Sequence, residues 1–481
     1  MKLLARLTDV LGGPQRRRVI VLLGGVLALS FADTATVGAV ATQLERDLGI
    51  SHTQLGLLPA ASALIGALAT LPAGVLVDRV PRVRLLAISV VLWSLASVAS
   101  ALSVSYTMLL VTRIGLGFVV AAATPAIASL TGDLFPPEER ARVYGFILSG
   151  ELFGAGLGFA AGGTLAGGLS WRAAFAWLAV PGLALAWALV RELPEPARGG
   201  ADRLPASGAP DGGEQREDAL HAQLHARHVE PDPSRVLRED PDGMSLARVV
   251  RWVLLIPTNR LLIVSSALGY FFFSGVQTFA VVFLRHRFGL GQAPSSLLLV
   301  VVGAGAVVGV LAGGRLADAW SAHGRLDARI TVAGGAYLVA AGLLVPALLF
   351  GALALALPLL ILAVAALGAA NPALDAARLD VVPGRLWGRA EGVRTLLRQL
   401  ATAAAPIAFG LTADAFGTGG TGGTGALTGA SETRGDVHDT FLVMLVALVA
   451  SGLILLWGRG GFARDVATAE AAEYARWRSS R

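Results

Sequence analysis

The sequence contains no cysteine and only one lysine, Lys2. The lack of cysteine excludes disulfides, thiolate metal sites, iron–sulfur clusters and cysteine nucleophiles. The lack of an internal lysine excludes a phosphate-binding GxxxxGK[ST] loop and a Schiff-base lysine, so we expect no ATP hydrolysis. No HExxH or GxSxG motif is present either, so we expect no enzymatic activity, no metal and no cofactor.

Charged residues are also scarce. They make up 15% of the 481 residues, against 54% hydrophobic residues, whereas ordinary globular domains carry about 25% charged residues. This balance excludes a typical soluble enzyme. The arginines flank apolar runs rather than forming one basic face, so nucleic acid is not an expected partner.

Twelve apolar runs are each long enough to cross a hydrocarbon core of about 30 Å. Because backbone groups in lipid must be satisfied within the segment, the runs are predicted to be helices. The runs are 19–42, 54–77, 84–103, 106–131, 142–168, 172–191, 260–284, 294–317, 328–350, 354–379, 390–414 and 439–458. A signal peptide is the alternative for the first run, but its length and its Asp33 favour a membrane span.

Basic residues in the short loops predict the sidedness of the spans. Lysine and arginine total 21 on the side of the two termini and five on the other side, so both termini are predicted to be cytoplasmic. The predicted segments are an N-terminal tail 1–18, a six-helix bundle 19–191, a linker 192–258, a second bundle 259–458 and a C-terminal tail 459–481.

The linker is rich in proline, glycine and charged residues, and it is predicted to be partly disordered. Within it, His221, His225 and His228 have the spacing of one helix face. A solvated amphipathic helix is the favoured interpretation of the three histidines, and metal binding is the alternative.

An internal repeat relates the two bundles. The pattern from Gly74 to Asp78 recurs 240 residues later from Gly314 to Asp318. A second offset, of 247 residues, relates Pro125 to Pro372, Asp133 to Asp380, Arg142 to Arg389 and Gly163 to Gly410. The sequence therefore predicts an all-α membrane protein of two six-helix bundles that run in the same direction.

Two segments carry a family resemblance. The segment from Gly74 to Arg84 resembles the signature loop of the major facilitator superfamily, and Arg113 followed by Gly117 resembles that superfamily's second motif. The resemblance implies the major facilitator fold and a secondary transporter that works by alternating access.

Within that superfamily, three segments resemble Spinster-type transporters, namely 132–140, 170–175 and 191–196. This second resemblance implies export of lysolipids, sphingoid lipids or other amphiphiles.

Ionisable groups in membrane helices cost about 2.5–3.5 kcal/mol each on insertion scales, so each is a functional candidate. Asp33 is predicted to be a protonation or substrate-contact site, and a purely structural carboxylate is the alternative. The dipeptide of Asp33 and Thr34 matches that of Gln277 and Thr278 at an offset of 244. Both pairs are therefore predicted to face one central cavity.

Three further charges lie within the predicted spans. Glu151 and Arg398 are related by the offset of 247, and both are predicted to point inward, for proton coupling or for a salt bridge that breaks during transport. A static interhelical pair is the alternative. For Arg113 the resemblance implies a role in proton coupling or closure, and a snorkelling arginine near the outer end is the alternative.

The signature loop is predicted to act as a cytoplasmic gate. Gly74 permits close helix contact, and Asp78 is expected to accept hydrogen bonds from a facing helix N-terminus. The arginines of the loop, Arg79, Arg82 and Arg84, are expected to pair with acids or lipid phosphates, and Gly314 and Asp318 form a degraded copy. The resemblance implies a latch; orientation by positive charge is the alternative.

The sequence thus predicts a monomeric, multi-pass transporter of the cytoplasmic membrane. Its expected cargo is a small amphiphilic or lipid-like molecule, and its expected coupling ion is the proton. Multidrug efflux and uptake of a small organic solute are the alternatives within the same fold. A membrane sensor or scaffold without transport is the alternative of another class.

Overall fold

The computed structural model describes residues 13–135, 137–196, 224, 227–237, 244–383, 386–418 and 433–479. All regular elements in these ranges are helical. In chain order they are α1 Pro14–Ala39, α2 Ala41–Leu48, α3 His52–Arg79, α4 Arg82–Ala101, α5 Tyr106–Val120, α6 Ala123–Leu134, α7 Pro137–Leu157, a π-helical turn Gly158–Gly162, α8 Gly163–Gly168, α9 Trp171–Ala176 and α10 Ala179–Glu192.

The second half of the chain continues with α11 Leu246–Leu255, α12 Pro257–Phe288, α13 Gln292–Ala322, α14 Ala328–Leu349, α15 Leu353–Asp380, α16 Trp387–Thr418, α17 Thr433–Gly458, a 3₁₀ turn Arg459–Gly461 and α18 Phe462–Ser479.

Eleven helical stretches in the described part of the chain are long and apolar enough to cross a membrane. They correspond to eleven of the twelve predicted runs. The remaining run, 142–168, is helical throughout, but the π-helical turn Gly158–Gly162 divides it into α7 and α8. Each predicted run is therefore mostly helical in the structure.

Local sequence signals set the end of α2 and the start of α3. Gly49 has φ 61°, the left-handed conformation that glycine adopts easily, and it ends α2. Ser51 and Gln54 then form a capping box, in which each side chain bonds the other residue's backbone N–H. The turn between the two helices is consequently short.

The chain divides into two compact units. One unit combines the described part of Met1–Gly213 with Gln277–Val300 and Pro406–Val437. The other combines the described part of Glu214–Val276 with Val301–Ala405 and His438–Arg481. Helices α12, α13, α16 and α17 each contribute to both units.

Glycines bring helices close together in the first unit. A Cβ at Gly150, Gly154 or Gly158 of α7 and the π turn would overlap the backbone of α1, at Gly24, Ala28 and Ala32 respectively. Small residues at a spacing of four allow this kind of backbone contact between membrane helices. The side of α1 that carries Gly24, Ala28 and Ala32 therefore packs backbone to backbone against the fifth span.

The second unit uses the same device. Gly309 and Gly313 of α13 lie against the backbone of α15, where a Cβ would overlap the carbonyl oxygens of Ala365 and Ala369. Between α12 and α17, the hydroxyl groups of Ser265 and Ser451 are 2.5 Å apart and buried.

One ion pair occurs in both halves of the sequence. Arg82 pairs with Asp133 in the first unit, and Arg329 pairs with Asp380 in the second. Each partner is related to its counterpart by 247 residues, the offset of the predicted repeat. The shared pair supports the two-fold repeat with a contact that the sequence comparison did not use.

Candidate functional site

A buried ion pair joins α1 and α5. The guanidinium of Arg113 donates from Nη1 to Asp33 Oδ2 at 2.8 Å, and from Nη2 to Ser100 Oγ at 2.5 Å. The same guanidinium lies 4.9 Å from the ring centroid of Phe175. Only 1% of the Arg113 side chain and 5% of the Asp33 side chain are exposed, so both charges are removed from solvent.

The carboxylate of Asp33 is only half satisfied. Its Oδ1 is buried and makes no hydrogen bond to any described residue. Because buried polar atoms are nearly always hydrogen-bonded, such an atom calls for an explanation. A carboxylate with one oxygen held by an arginine and the other without a partner has a free position for a proton.

The alternative in which Arg113 snorkels to the membrane surface is wrong, because the side chain is buried and ion-paired. Helix depth could have predicted the pairing. At 1.5 Å per residue, Asp33 lies about 21 Å from the start of the first predicted run, and Arg113 lies about 10 Å from the start of the fourth. These two runs start on opposite sides of the membrane, so in a core about 30 Å thick the two residues are expected at the same depth.

A small apolar cleft lies in the first unit, on the same helix α1 as Asp33. It begins at Ser30, about one turn before Asp33. Its lining comes from α1, α4 and the fourth span: Val26, Leu29, Ser30, Ser89, Val90, Trp93, Val119, Val120 and Ala123. The fourth span is interrupted at this cleft, between the end of α5 and the start of α6. Pro125 explains the interruption, because proline removes a helical hydrogen bond.

Trp93 is the largest side chain of the cleft, and it is 4% exposed. Its Nε1 has no hydrogen-bond partner among the described residues. Gly182 of α10 lies against the opposite edge of the indole, at Cζ3 and Cε3. The N–H edge therefore points away from α10.

The other predicted cavity residues take three different positions. Thr34 is exposed, and its hydroxyl donates to the Ser30 carbonyl at 3.2 Å. Gln277 is half-buried, and its backbone carbonyl oxygen lies against Gly38, which brings α12 next to α1. Glu151 is half-buried on α7. The predicted shared cavity of these residues stays a prediction.

Arg398 belongs to the second unit. It is half-buried, and its guanidinium carbon lies 4.6 Å from the ring centroid of Tyr270. This stacking interaction was not predicted from the sequence. The prediction that Arg398 points inward opposite Glu151 stays a prediction.

The three arginines of the signature loop differ in their surroundings. Arg79 and Arg84 are exposed. Arg82 is 1% exposed and pairs with Asp133 and Glu195, and it also donates to the Pro196 carbonyl at 2.6 Å. Of the two expected partners for Arg82, acids and lipid phosphates, the structure therefore contains the acids.

The remaining gate residues are only partly described. The side chain of Asp78 and the surroundings of Gly74 lie outside the described residues. In the second copy of the motif, Asp318 is exposed and Gly314 is half-buried. The cytoplasmic latch stays a prediction.

A family model described as the Major Facilitator Superfamily matches residues 22–406. The chain belongs to the Major Facilitator Superfamily. Solved structures of the superfamily's fold agree. A bacterial homologue of the human lysosomal transporter Spinster, in an inward-facing and unoccupied conformation, is similar with a TM-score of 0.76 and 22% identity, covering 94% of this chain and 98% of that one. A D-xylose–proton symporter gives a TM-score of 0.60 and 18% identity, covering 91% and 96%.

Curated relatives match part of the chain. A hexuronate transporter of Bacillus subtilis (strain 168) is 30% identical over 180 residues, which are 37% of this chain and 42% of the relative. The 4-hydroxybenzoate transporter PcaK of Pseudomonas aeruginosa is 31% identical over 189 residues, which are 38% and 41%. The matched regions thus span about two-fifths of each relative. These relatives and structural neighbours are transporters rather than enzymes.

Membership in the Major Facilitator Superfamily confirms the predicted all-α fold of twelve spans in two bundles, and it makes the chain a multi-pass membrane protein. The predicted orientation of the termini and the predicted segment boundaries stay predictions.

One contact of this major facilitator protein was missed entirely. Asp414 of α16 accepts hydrogen bonds from the backbone N–H groups of His52 and Thr53, at 3.1 and 3.0 Å, and from the Thr53 hydroxyl at 2.5 Å. The N–H groups of a first helical turn have no intrahelical partner, and the helix dipole favours an anion there. Nearby, His52 Nδ1 lies 2.5 Å from Glu45 Oε1. Asp414 therefore fastens α16 to the N-terminus of α3.

The linker histidines have no described metal site. His228 lies in a turn with φ 53°, so the helix predicted to carry the three histidines has ended there. His221 and His225 lie outside the described residues. Among those that are described, no three histidine or acidic side chains are placed to hold a metal ion.

Proposed function

We propose that this chain is a secondary active transporter of the cytoplasmic membrane that works by alternating access. Its family, its repeated bundles and the transporter names of its relatives support this proposal. Its energy source is an ion gradient, because the sequence contains no phosphate-binding loop. In transporters built from two repeated bundles, one bundle rocks against the other around a central binding site.

Protons are the proposed coupling ion, and Asp33 is their proposed carrier. The observation that carries this proposal is the buried Asp33–Arg113 pair, in which Asp33 Oδ1 has no hydrogen-bond partner among the described residues. A proton on Asp33 cancels the charge that holds Arg113, and Arg113 cannot lose its own proton. Arg113 must then find another anion or a polar partner, so protonation and a rearrangement of α1 and α5 are linked.

The proposed substrate is a small amphiphilic or lipid-like molecule. The small apolar cleft between α1, α4 and the fourth span includes Ser30, which is about one helical turn from Asp33 along α1. This arrangement suits a molecule that has an apolar chain next to a polar group. The resemblance of segments 132–140, 170–175 and 191–196 to Spinster-type transporters implies such a cargo.

A small organic solute is the second candidate substrate. The relatives named above are a hexuronate transporter and a 4-hydroxybenzoate transporter, and both of those compounds are carboxylates. Efflux of drugs is the third, and a quinolone resistance protein of Staphylococcus aureus is 28% identical over 117 residues. The names favour a carboxylate over an uncharged solute.

Transport in proteoliposomes under an imposed pH gradient tests these proposals. Fluorescent lysophosphatidylcholine and radiolabelled glucuronate serve as the lipid-like and small-solute probes. Asp33→Asn is expected to abolish accumulation driven by the gradient and to retain exchange of internal for external probe. Asp47→Asn, at an exposed surface pair with Arg46, is the matched control.

Two outcomes contradict the proposal. If Asp33→Asn accumulates the probe at the wild-type rate with unchanged pH dependence, Asp33 is not the proton carrier. If wild-type protein moves neither probe, in either direction and under any gradient, the sensor or scaffold alternative is favoured.

The signature loop is the proposed cytoplasmic latch, with Asp78 as its acid. Asp78→Asn is expected to shift the balance between inward-open and outward-open conformations. Distances between spin labels on the two halves measure this balance, and the absence of native cysteine makes the labelling specific. An unchanged distance distribution would show that the loop only orients the protein.

A further inference from the structure

The ion pair of Asp33 and Arg113 uses one of the two hydrogen bonds that such a pair can form. Arg113 Nη1 donates to Asp33 Oδ2 at 2.8 Å. Asp33 Oδ1 and Arg113 Nε are both buried, and neither has a hydrogen-bond partner among the described residues. Arginine and carboxylate groups frequently pair through two parallel hydrogen bonds, and a buried polar atom without a bond is costly. The surroundings of Arg113 must therefore prevent full pairing.

Ser100 of α4 bonds the other end of the guanidinium. Its Oγ accepts from Arg113 Nη2 at 2.5 Å, and its own hydroxyl donates to the Ala96 carbonyl at 2.8 Å. Thr112 Oγ1 lies 2.9 Å from the same oxygen. Ser100 is 0% exposed, so this acceptor is fixed by its neighbours, and Nη2 bonds it instead of Asp33 Oδ1.

Phe175 of α9 contacts the same cation through its ring. The guanidinium carbon of Arg113 lies 4.9 Å from the ring centroid, within the distance of about 6 Å at which an aromatic face attracts a cation. Trp171 packs edge to face on Phe175, with ring centroids 6.1 Å apart, and both residues are 0% exposed. The ring is therefore held in place, and it attracts the cation whether or not Asp33 carries a charge.

A second buried arginine of the same unit shows that full bonding is possible there. Arg82 is 1% exposed, like Arg113. Each of its side-chain nitrogens donates to an acceptor: Nε to Glu195, Nη1 to Asp133 and Nη2 to the Pro196 carbonyl. Arg82 thus pairs with two acids and keeps no nitrogen unused, whereas Arg113 has one acid and an unused Nε. The incomplete pairing is a property of the Arg113 site.

Other charges lie farther along the helices that pack against α1. The fifth span contacts α1 next to Asp33 at Gly158, and Glu151 lies seven residues earlier, or about 10 Å along the helix. On α9, Arg172 donates to the Ser103 carbonyl at 3.2 Å. The remaining charged or titratable residues of these helices lie near helix ends, as do the charges at the start of α7: His52, Asp78, Arg79, Asp133, Arg191 and Glu192. Arg113 is therefore the charge that acts directly on Asp33.

We propose that Ser100 and Phe175 are positioning residues, which limit Arg113 to a single bond with Asp33 so that a proton can bind Asp33 Oδ1. The inference rests on the proposed proton coupling, and it names the residues that set the acidity at which Asp33 accepts its proton. In this step the Oδ1–H bond forms, the hydrogen bond from Nη1 to Oδ2 weakens, and Arg113 keeps its own proton. Ser100 and Phe175 then hold the cation while Asp33 is neutral.

Infrared difference spectroscopy of the purified full-length protein in neutral detergent tests this inference, because a protonated carboxyl group has its own C=O absorption band. The band of Asp33 is identified by its absence in Asp33→Asn, and its intensity against pH gives a midpoint. Ser100→Ala is expected to lower the midpoint by about one pH unit, since Nη2 can then bond Oδ1 and a hydrogen bond to a charged group contributes about tenfold. Phe175→Leu releases the guanidinium from the ring and is expected to lower the midpoint as well.

Matched variants separate positioning from packing. Ser100→Thr keeps the hydroxyl and Phe175→Tyr keeps the ring, so both are expected to titrate close to the wild-type midpoint. Ser97→Ala is the control, because Ser97 lies on the same helix, is 0% exposed and donates to the Trp93 carbonyl at 3.1 Å. Its midpoint should equal that of the wild type. Size-exclusion profiles identify the variants that fold.

Two results would overturn the positioning role. One is an unchanged or raised midpoint in whichever of Ser100→Ala and Phe175→Leu folds, and the other is an equal shift in Ser97→Ala. The transport proposal fails separately. If the midpoints shift as expected and the wild-type protein shows no proton-driven transport, the positioning role stands and the proposed function falls. If Asp33→Asn uncouples transport while Ser100→Ala and Phe175→Leu titrate like the wild type, only the positioning role falls. If the wild-type protein shows no Asp33 band at any pH at which it stays folded, the proton carrier and the positioning role fall together.

Discussion

The Asp33–Arg113 pair should be strongly coupled in a double-mutant cycle. Arg113→Gln leaves the Asp33 carboxylate, 5% exposed, without its cation. Removing one partner of a buried pair costs about 3–5 kcal/mol, because the remaining charge stays out of water. Asp33→Asn leaves the Arg113 guanidinium, which cannot lose its proton, with an amide oxygen, Ser100 and Phe175 as its contacts, so it should be destabilising as well.

The double variant replaces both charges with neutral amides. It should therefore be more stable than the sum of the single effects implies, with a coupling energy of about 2–3 kcal/mol. Reversible unfolding in mixed micelles of dodecyl maltoside and SDS measures all four proteins. The exposed pair of Arg46 and Asp47, with side chains 72% and 34% exposed, is the control cycle, and it should show about 0.5 kcal/mol or less.

A coupling energy below about 0.5 kcal/mol for Asp33 and Arg113 would refute this reasoning. It would mean that water or lipid headgroups reach the pair and screen it. The link between protonation of Asp33 and movement of Arg113 would then lose its energetic basis. Additivity in the control cycle, measured in the same micelles, makes the comparison independent of the detergent.

Two other predictions follow from helix contacts in the first unit. Gly154→Ala should destabilise the protein by about 1–3 kcal/mol, because the new Cβ overlaps the α1 backbone. Gly115→Ala is the control and should be neutral or stabilising, since a Cβ there has no atom within 4 Å. Thermal unfolding compares the two variants, and equal midpoints would contradict the close approach of α7 to α1. Asp414→Asn weakens the cap on α3 and should lower the free energy of unfolding by about 1 kcal/mol. Asp47→Asn should leave the thermal midpoint unchanged, and a midpoint equally unchanged in Asp414→Asn would show that the cap does not stabilise the fold.

The sequence predicts the spans well because hydrophobic length is a local property. The third span illustrates both the success and its limit. The predicted run is 84–103, and the helix is Arg82–Ala101. Pro81 precedes the helix, and its fixed φ favours a helix start directly after it. That start brings Arg82 into the helix, where its side chain reaches Asp133 and Glu195.

Pairing partners could not be read from local pattern. Arg79, Arg82 and Arg84 look alike in sequence, yet only Arg82 is buried. Its partners lie 51 and 113 residues away, and separations of that size depend on how helices pack. The offset of 247 relates Arg82 to Arg329, so the repeat held a signal that distinguishes Arg82 from its two neighbours.

Some features of the candidate site could likewise be predicted from the sequence, and others depend on how helices pack. Burial of Asp33 and Arg113 was predictable from hydrophobic context, and their contact was predictable from helix depth. The cap by Asp414 was not, because it depends on the end of α16 reaching the start of α3. Arg398 was predicted from the sequence, but its stacking on Tyr270 was not, because that contact depends on how α12 and α16 pack.

The fifth span has glycine on two of its faces, and this has a mechanical consequence. One face, with Gly150, Gly154 and Gly158, lies on the backbone of α1, and a second face, with Gly163 and Gly167, lies on the start of α13. Side chains that interlock across an interface resist sliding, because each must change rotamer to pass its neighbour. The glycine positions themselves carry no such side chains. We therefore expect the fifth span to slide along α1 with less resistance at Gly150, Gly154 and Gly158 than a span whose contacts are made by larger side chains.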